Sequence, residues 1–193
     1  MALRKIAQLG EPVLRARARE LTEDELASPR IQALIDDMIE TMRDADGAGI
    51  AAPQVHESVR VCVMELVGNP RYPDVPRLPL TVLVNPVVEA RVPDPTNPAD
   101  EDSVFLYEGC LSVQGLRGRV QRPRRVAVRA LDRHGAPQEF LLEGPLAAVV
   151  QHETDHLEGV LFVDRADPRT LTFLREYERW VPRADRVVDG GAR

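Results

Sequence analysis

Cysteine is scarce in this chain, with two in 193 residues. Two cannot staple a domain of this length, so a disulfide scaffold is excluded and a cytoplasmic protein with reduced thiols is expected. No apolar run approaches the roughly 20 residues that cross a bilayer. The start, MALRKIAQLGEPVLRARARE, has no apolar stretch long enough for a signal peptide. Basic residues number 25 against 31 acidic ones, for a net charge of −6. That balance argues against direct nucleic-acid binding and against attachment to an anionic membrane, since both need a basic footprint. Internal repeats are absent. What the chain has is ordinary globular usage, 44% hydrophobic and 29% charged, which excludes disorder, collagen and coiled coil as its dominant state. One core suffices at this length. Residues 1–181 are read as one domain and 182–193 as a flexible tail.

Residues 30–44 place Ile31, Leu34, Ile35, Met38, Ile39 and Met42 at the spacing of an amphipathic helix. Ser28-Pro29 suits its start and Gly47 follows its end. Residues 59–67 and 81–88 read as strands. Cys62 is expected as a small core residue, and Pro86 as the mark of an edge or bulge. Residues 119–131 and 137–142 read as two more strands joined at Asp132-Arg133-His134-Gly135. Arg117, Arg119, Arg122, Arg124, Arg125 and Arg129 are expected to be solvated on strand and loop faces. Residues 145–158 read as a helix, opened by Pro145 and closed by Gly159. Residues 168–181 read as a last amphipathic helix. Pro70, Pro73, Pro76 and Pro79 recur at the spacing of polyproline II, and 68–79 is read as an extended surface loop. Residues 93–103, Pro-rich and acidic, are read as a mobile loop.

The chemistry-bearing signal is His152-Glu153-Thr154-Asp155-His156, an H-E-x-x-H motif on a predicted helix. Four residues make about one helical turn, so both imidazoles project from one side and can share a metal. Glu153 can then reach the open side of that metal and take a proton from water. A catalytic site usually wants a third protein ligand. The metzincin pattern fails, because Phe162 stands where its third histidine would be. Glu176 lies at the distance a thermolysin-like enzyme would use. Cys110, in Glu108-Gly109-Cys110-Leu111-Ser112, is the other candidate, since a thiolate is a strong ligand for transition metals. Gly109 would let the backbone come close. These two readings stay open at this point.

A third unusual segment, Gly47-Ala48-Gly49-Ile50-Ala51-Ala52-Pro53-Gln54, sets small residues before an amide. Taken with EGCLS and QHETDHLEG, it resembles the three motifs of the peptide deformylase family, in the same order and separation. The resemblance runs from about residue 4 to 165. It implies an α+β fold in which antiparallel sheets surround the H-E-x-x-H helix, with an N-terminal and a C-terminal helix. It implies one divalent metal per chain on Cys110, His152 and His156, usually Fe²⁺, with Zn²⁺, Ni²⁺ or Co²⁺ as substitutes. It implies that Glu153 is the general base and then the proton donor, and that the Gln54 amide and the Leu111 N–H hold the formyl oxygen.

Substrate contacts follow from the same resemblance. Gly49 and Gly109 would lie along the peptide, and Arg117 would meet its backbone. Ala48, Leu106, Ala148, Val149 and His152 would line the methionine pocket. The implied reaction is hydrolysis of the formyl group from N-formylmethionyl nascent peptides, with transient ribosome contact. Three departures stand out. Gln114 replaces the family's usual proline, and Ala48 and Ala148 are smaller than its usual branched residues. A thermolysin-like protease using Glu176 and a formyl-peptide binder without turnover are the competing readings.

Overall fold

A computed structural model describes residues 2–67, 76–91, 103–182 and 187–189. The chain opens with an extended segment and a 3-10 turn, Pro12–Arg15, before α1 (Glu23–Ala27). A reciprocal capping box starts α1: the Thr22 side chain accepts from the Glu25 N–H, and the Glu25 side chain accepts from the Thr22 N–H. Ser28 then caps α2 (Pro29–Asp44), accepting the Ile31 N–H at 3.3 Å, with Pro29 in the first turn where no donor is lost. The predicted stripe is the buried face of this helix, and Met38 and Met42 have no exposed surface.

Strands β1 (Gly49–Ala51), β2 (Val61–Leu66), β3 (Leu78–Ala90), β6 (Arg125–Leu131) and β7 (Pro137–Glu143) form one antiparallel sheet in the order β1-β2-β3-β6-β7. A second sheet has the order β8-β5-β4-β9, built from β4 (Ser103–Cys110), β5 (Val113–Pro123), β8 (Thr172–Phe173) and β9 (Val187–Asp189). Helix α3 (Gly144–Leu157) packs against strands of both sheets, so the H-E-x-x-H segment lies between them. The short α4 (Phe162–Arg165) and α5 (Leu174–Trp180) follow. This is the expected α+β arrangement with a central helix. Cys62 is a core residue with no exposed surface. Pro86 marks a bulge: β3 is internal, and its register against β6 shifts between Val84 and Val87.

Two expectations are corrected. Residues 119–131 are not one strand. β5 ends at Pro123 and β6 begins at Arg125 in the other sheet. Proline has no N–H for the ladder, and the Arg124 carbonyl accepts the Gly144 N–H at 2.8 Å instead of continuing a strand. Residues 168–181 are not one amphipathic helix. Pro168–Thr170 is a 3-10 turn capped by Asp167, Thr172–Phe173 pairs with Leu116–Arg117, and only Leu174–Trp180 is helical. The Thr170 hydroxyl accepts the Arg119 N–H at 2.8 Å, which holds the segment on β5. None of the α5 residues is buried. Of the expected surface loop 68–79, residues 68–75 lie outside the described residues, and Leu78 and Pro79 belong to β3 instead, Leu78 pairing with Leu66; of the acidic stretch 93–103, residues 93–102 lie outside them and Ser103 begins β4. Within 182–193, Val187–Asp189 form β9 alongside β4.

Candidate metal centre and active site

Period-two alternation turns Val104, Leu106 and Glu108 of β4 inward. Cys110 shares that parity, so its thiol faces α3 as Glu108 does, although the register against β5 shifts between the two. Cys110 Sγ lies 3.2 Å from His156 Nε2. Cys110, His152 and His156 each offer one ligand atom, and these atoms lie within 4.8 Å of one another. One thiolate with two imidazoles suits a divalent transition metal better than calcium or magnesium. Three protein ligands leave a coordination position open.

The electrostatics agree with that donor set. Burial alone would raise the Cys110 thiol, but the charge and hydrogen bonds of His156 and His152 leave it well below its ordinary value. Burial would lower His152, yet hydrogen bonds to Cys110 and Glu108 hold it well above its ordinary value. Both directions favour the charged form of each group, and a cation bound there would compete with protons for the same ligand atoms. Glu108 Oε2 meets His152 Nδ1 at 2.9 Å, which reserves the other ring nitrogen for the metal. Glu153 is buried, and that burial pushes its carboxyl up to about 7. Among the described residues, its Oε2 and the Nδ1 of His156 are buried without a hydrogen-bond partner. A buried orphan carboxylate oxygen beside such a cluster calls for a partner that arrives with substrate or water.

Gly49 explains how Glu153 fits. A Cβ there would stand 2.5 Å from Glu153 Oε1 and 2.7 Å from its Cδ, so only glycine leaves room for the carboxylate against β1. Gln54 is 2% exposed. Its Oε1 accepts the Ala51 N–H at 2.8 Å, which aims Nε2 at Ser112 Oγ (3.1 Å) and Cys110 Sγ (3.4 Å). Leu111 sits in the turn between β4 and β5, beside Cys110. A Cβ on Gly109 would collide with the Arg117 guanidinium, so Arg117 lies across that backbone. Leu106 and Ala148 share one apolar cluster with Val104. Ala48 and Val149, both half-buried, pack against a neighbouring cluster. Gln114 is exposed on β5.

The rival ligand Glu176 does not join the group, and the metzincin position is a wall. Phe162 is 1% exposed, and its ring stacks at 6.3 Å from that of His152, as a wall. Glu176 is on α5, where its carboxylate accepts the Trp180 Nε1–H at 2.8 Å.

Arg122 is the residue that sequence reasoning placed wrongly. It is 2% exposed, not solvated. Its Nε and Nη2 donate to Glu108 at 2.7 and 2.9 Å, and its Nη1 donates to Asp155 at 2.6 Å. Asp155 accepts two further bonds from Arg165, both at 2.7 Å. One guanidinium thus ties the strand that ends in Cys110 to the helix that carries both histidines. The available signal was parity. Val120 and Arg122 share a face of β5, and a buried Val120 turns Arg122 inward too.

Known proteins agree with this geometry. The sequence pattern of the polypeptide deformylase family matches residues 3–171. A peptide deformylase of Leptospira biflexa is 38% identical over 190 residues, covering 98% of this chain and all of that protein. Peptide deformylase 1 of Prochlorococcus marinus is 42% identical, covering 92% of this chain and 88% of that one. Peptide deformylase 1A of Arabidopsis thaliana, 40% identical, is described as chloroplastic/mitochondrial. Among solved structures, a Met-Ala-Ser-bound class I type b peptide deformylase from Acinetobacter baumannii matches with TM-score 0.76 and 40% identity. It covers 85% of this chain and 98% of that one. With its ligand cluster, its fold and its nearly full-length relatives in accord, the chain belongs to the polypeptide deformylase family.

Proposed function

We propose that this chain, a hydrolase that removes the formyl group from N-terminal formylmethionine, carries out that reaction with Cys110, His152 and His156 as ligands of one Fe²⁺. The observation that carries the reading is the buried Glu153 carboxylate beside that ligand cluster, with one oxygen unpartnered. When bound, the metal supplies Lewis acidity that polarises the formyl group and lowers the pKa of water.

The chain's own residues do the rest. Glu153, buried beside the ligand cluster, takes the proton from the attacking water. It then gives that proton to the departing amine, as formate leaves and the peptide amino group is freed. Gln54 Nε2 carries two hydrogens. One is held by Ser112 Oγ at 3.1 Å, and the other, which rests on Cys110 Sγ at 3.4 Å, turns to the growing negative charge on the formyl oxygen. The Leu111 N–H completes that site, and one donor of this kind is worth roughly 2.7–4 kcal/mol. The peptide lies extended along Gly49 and Gly109, with Arg117 on its backbone. The methionine side chain enters between Ala48, Leu106, Ala148, Val149 and the His152 ring.

Residues 1–181 hold the residues of the reaction, and beyond them Val187–Asp189 add an edge strand to β4. The substrate is a nascent chain, so contact with the ribosome is transient and the setting is the cytoplasm. No described helix is long and apolar enough to cross a membrane.

The test is a formate assay on formyl-Met-Ala-Ser with the purified protein, its chelated form and Glu153→Ala. The expected result is release of formate, loss on chelation, and a fall of about 10²–10⁴-fold in Glu153→Ala with metal still bound. Full turnover in the chelated protein, or near-normal turnover in Glu153→Ala, rejects the scheme.

A further inference from the structure

The N-terminal segment before the first 3-10 turn carries no motif, yet it touches both halves of the formyl-oxygen site. The Ala7 N–H donates to the Gln54 carbonyl at 2.8 Å, and the Leu9 N–H donates to the Ser112 carbonyl at 2.8 Å. Between them, Gln8 Nε2 donates to the Leu111 carbonyl at 3.2 Å and to the Ile6 carbonyl at 3.3 Å. Gln54 Nε2 closes the ring on Ser112 Oγ at 3.1 Å. Ala7 and Ser112 have no exposed surface and Gln54 has 2%, while Gln8 and Leu111 are half-buried.

The turn Leu111–Ser112 joins β4 to β5 beyond their last register pair, Cys110 with Val113. No sheet ladder orients its carbonyls. Peptide planes are rigid: the Leu111 N–H shares its plane with the Cys110 carbonyl, at the last pair of the ladder, and the Leu111 carbonyl shares the next plane with the Ser112 N–H, so with the ladder holding the first plane and Gln8 the second, both dihedrals at Leu111 are restricted. The Ala7 N–H likewise pins the 3-10 turn Ala52–Val55, which presents the Gln54 side chain. We propose that Gln8 is a positioning residue for the deformylation reaction. It holds the Leu111 peptide against the N-terminal segment, so that the Leu111 N–H and the Gln54 amide converge on one oxygen. The inference rests on the roles assigned above to Gln54 and Leu111.

The distinction from a plain structural staple lies in what changes. Misplacing a donor that acts only on developing charge lowers kcat and leaves KM alone. Gln8→Met keeps the side-chain length without a donor, and Gln8→Glu keeps the shape with acceptors only. Each variant, with Gln54→Ala and the Gln8→Met/Gln54→Ala pair, is assayed for kcat and KM on formyl-Met-Ala-Ser, for metal content, and for hydrogen exchange at the Leu111 amide. The expected result is unchanged metal content and KM, kcat lower by about three- to tenfold, and faster Leu111 exchange. The paired variant should fall by less than the product of the single losses, because both act on one site. Unchanged kcat or unchanged Leu111 exchange in both Gln8 variants overturns the role of Gln8. Unchanged kcat in Gln54→Ala overturns the formyl-oxygen site itself, whatever Gln8 does.

Discussion

Replacing Arg122 by Met removes a buried cation of similar reach and leaves two buried carboxylates facing a thioether. Glu108 loses bonds of 2.7 and 2.9 Å, and Asp155 loses one of 2.6 Å. Asp155 keeps Arg165, whereas Glu108, among the described residues, keeps His152. Breaking a buried pair from one side costs about 3–5 kcal/mol. At this chain length each kcal/mol moves Tm by roughly 2–4 °C, so the metal-free variant should melt about 6–20 °C lower. The same change frees the hydrogen bond that orients His152, and loss of such a partner typically costs about 10–100-fold in metal affinity. Thermal unfolding of the metal-free protein and chelator competition on the loaded one measure the two effects separately. Acid gives a further signature. Burial would raise Glu108, but Arg122 and His152 hold it at about 2 against an ordinary 4.5. Its folded pKa is depressed, so its contribution is present above pH 4.5 and lost as pH falls through that window toward 2. The variant should lack that share of the acid loss. A metal-free Arg122→Met protein within about 1 kcal/mol of wild type, with unchanged metal affinity, would refute the reasoning.

Three other outcomes follow from the geometry. Cys110→Ser should lose metal or nearly all activity, while Glu176→Gln should stay within about 0.5 kcal/mol in stability and near wild type in rate. Metal counts and formate release on both variants decide between the two ligands. Gly49→Ala places a methyl 2.5 Å from the Glu153 carboxylate. It should lower kcat by at least tenfold with metal content preserved, and an unchanged kcat would mean Glu153 moves aside freely. In the proposed methionine pocket, alanine at 48 and 148 leaves out branched carbons, each worth only about 1–3 kcal/mol of discrimination. Formyl-Met should be preferred with formyl-Phe accepted unusually well, and kcat/KM ratios against Ala48→Val and Ala148→Ile variants check this.

What the sequence by itself determined is chemistry that is local. Two histidines four apart on a helix face the same way wherever that helix sits, and α3 presents them so. The stripe of α2, the Ser28 cap, the Pro86 bulge and the burial of Cys62 also follow from short-range rules of spacing and backbone restriction. Tertiary structure decided everything that needed a partner distant in the chain. Arg122 reads as one arginine among many until β4 and α3 bring Glu108 and Asp155 to it, 14 and 33 residues away. Pro123 reads as a flaw in a strand until two sheets claim its two sides. Gly49 shows its purpose only against Glu153, and Gln8 only against Leu111, 103 residues on. Long-range pairing is set by which faces must be buried together and by where unsatisfied donors find acceptors. No window of neighbouring residues contains that information.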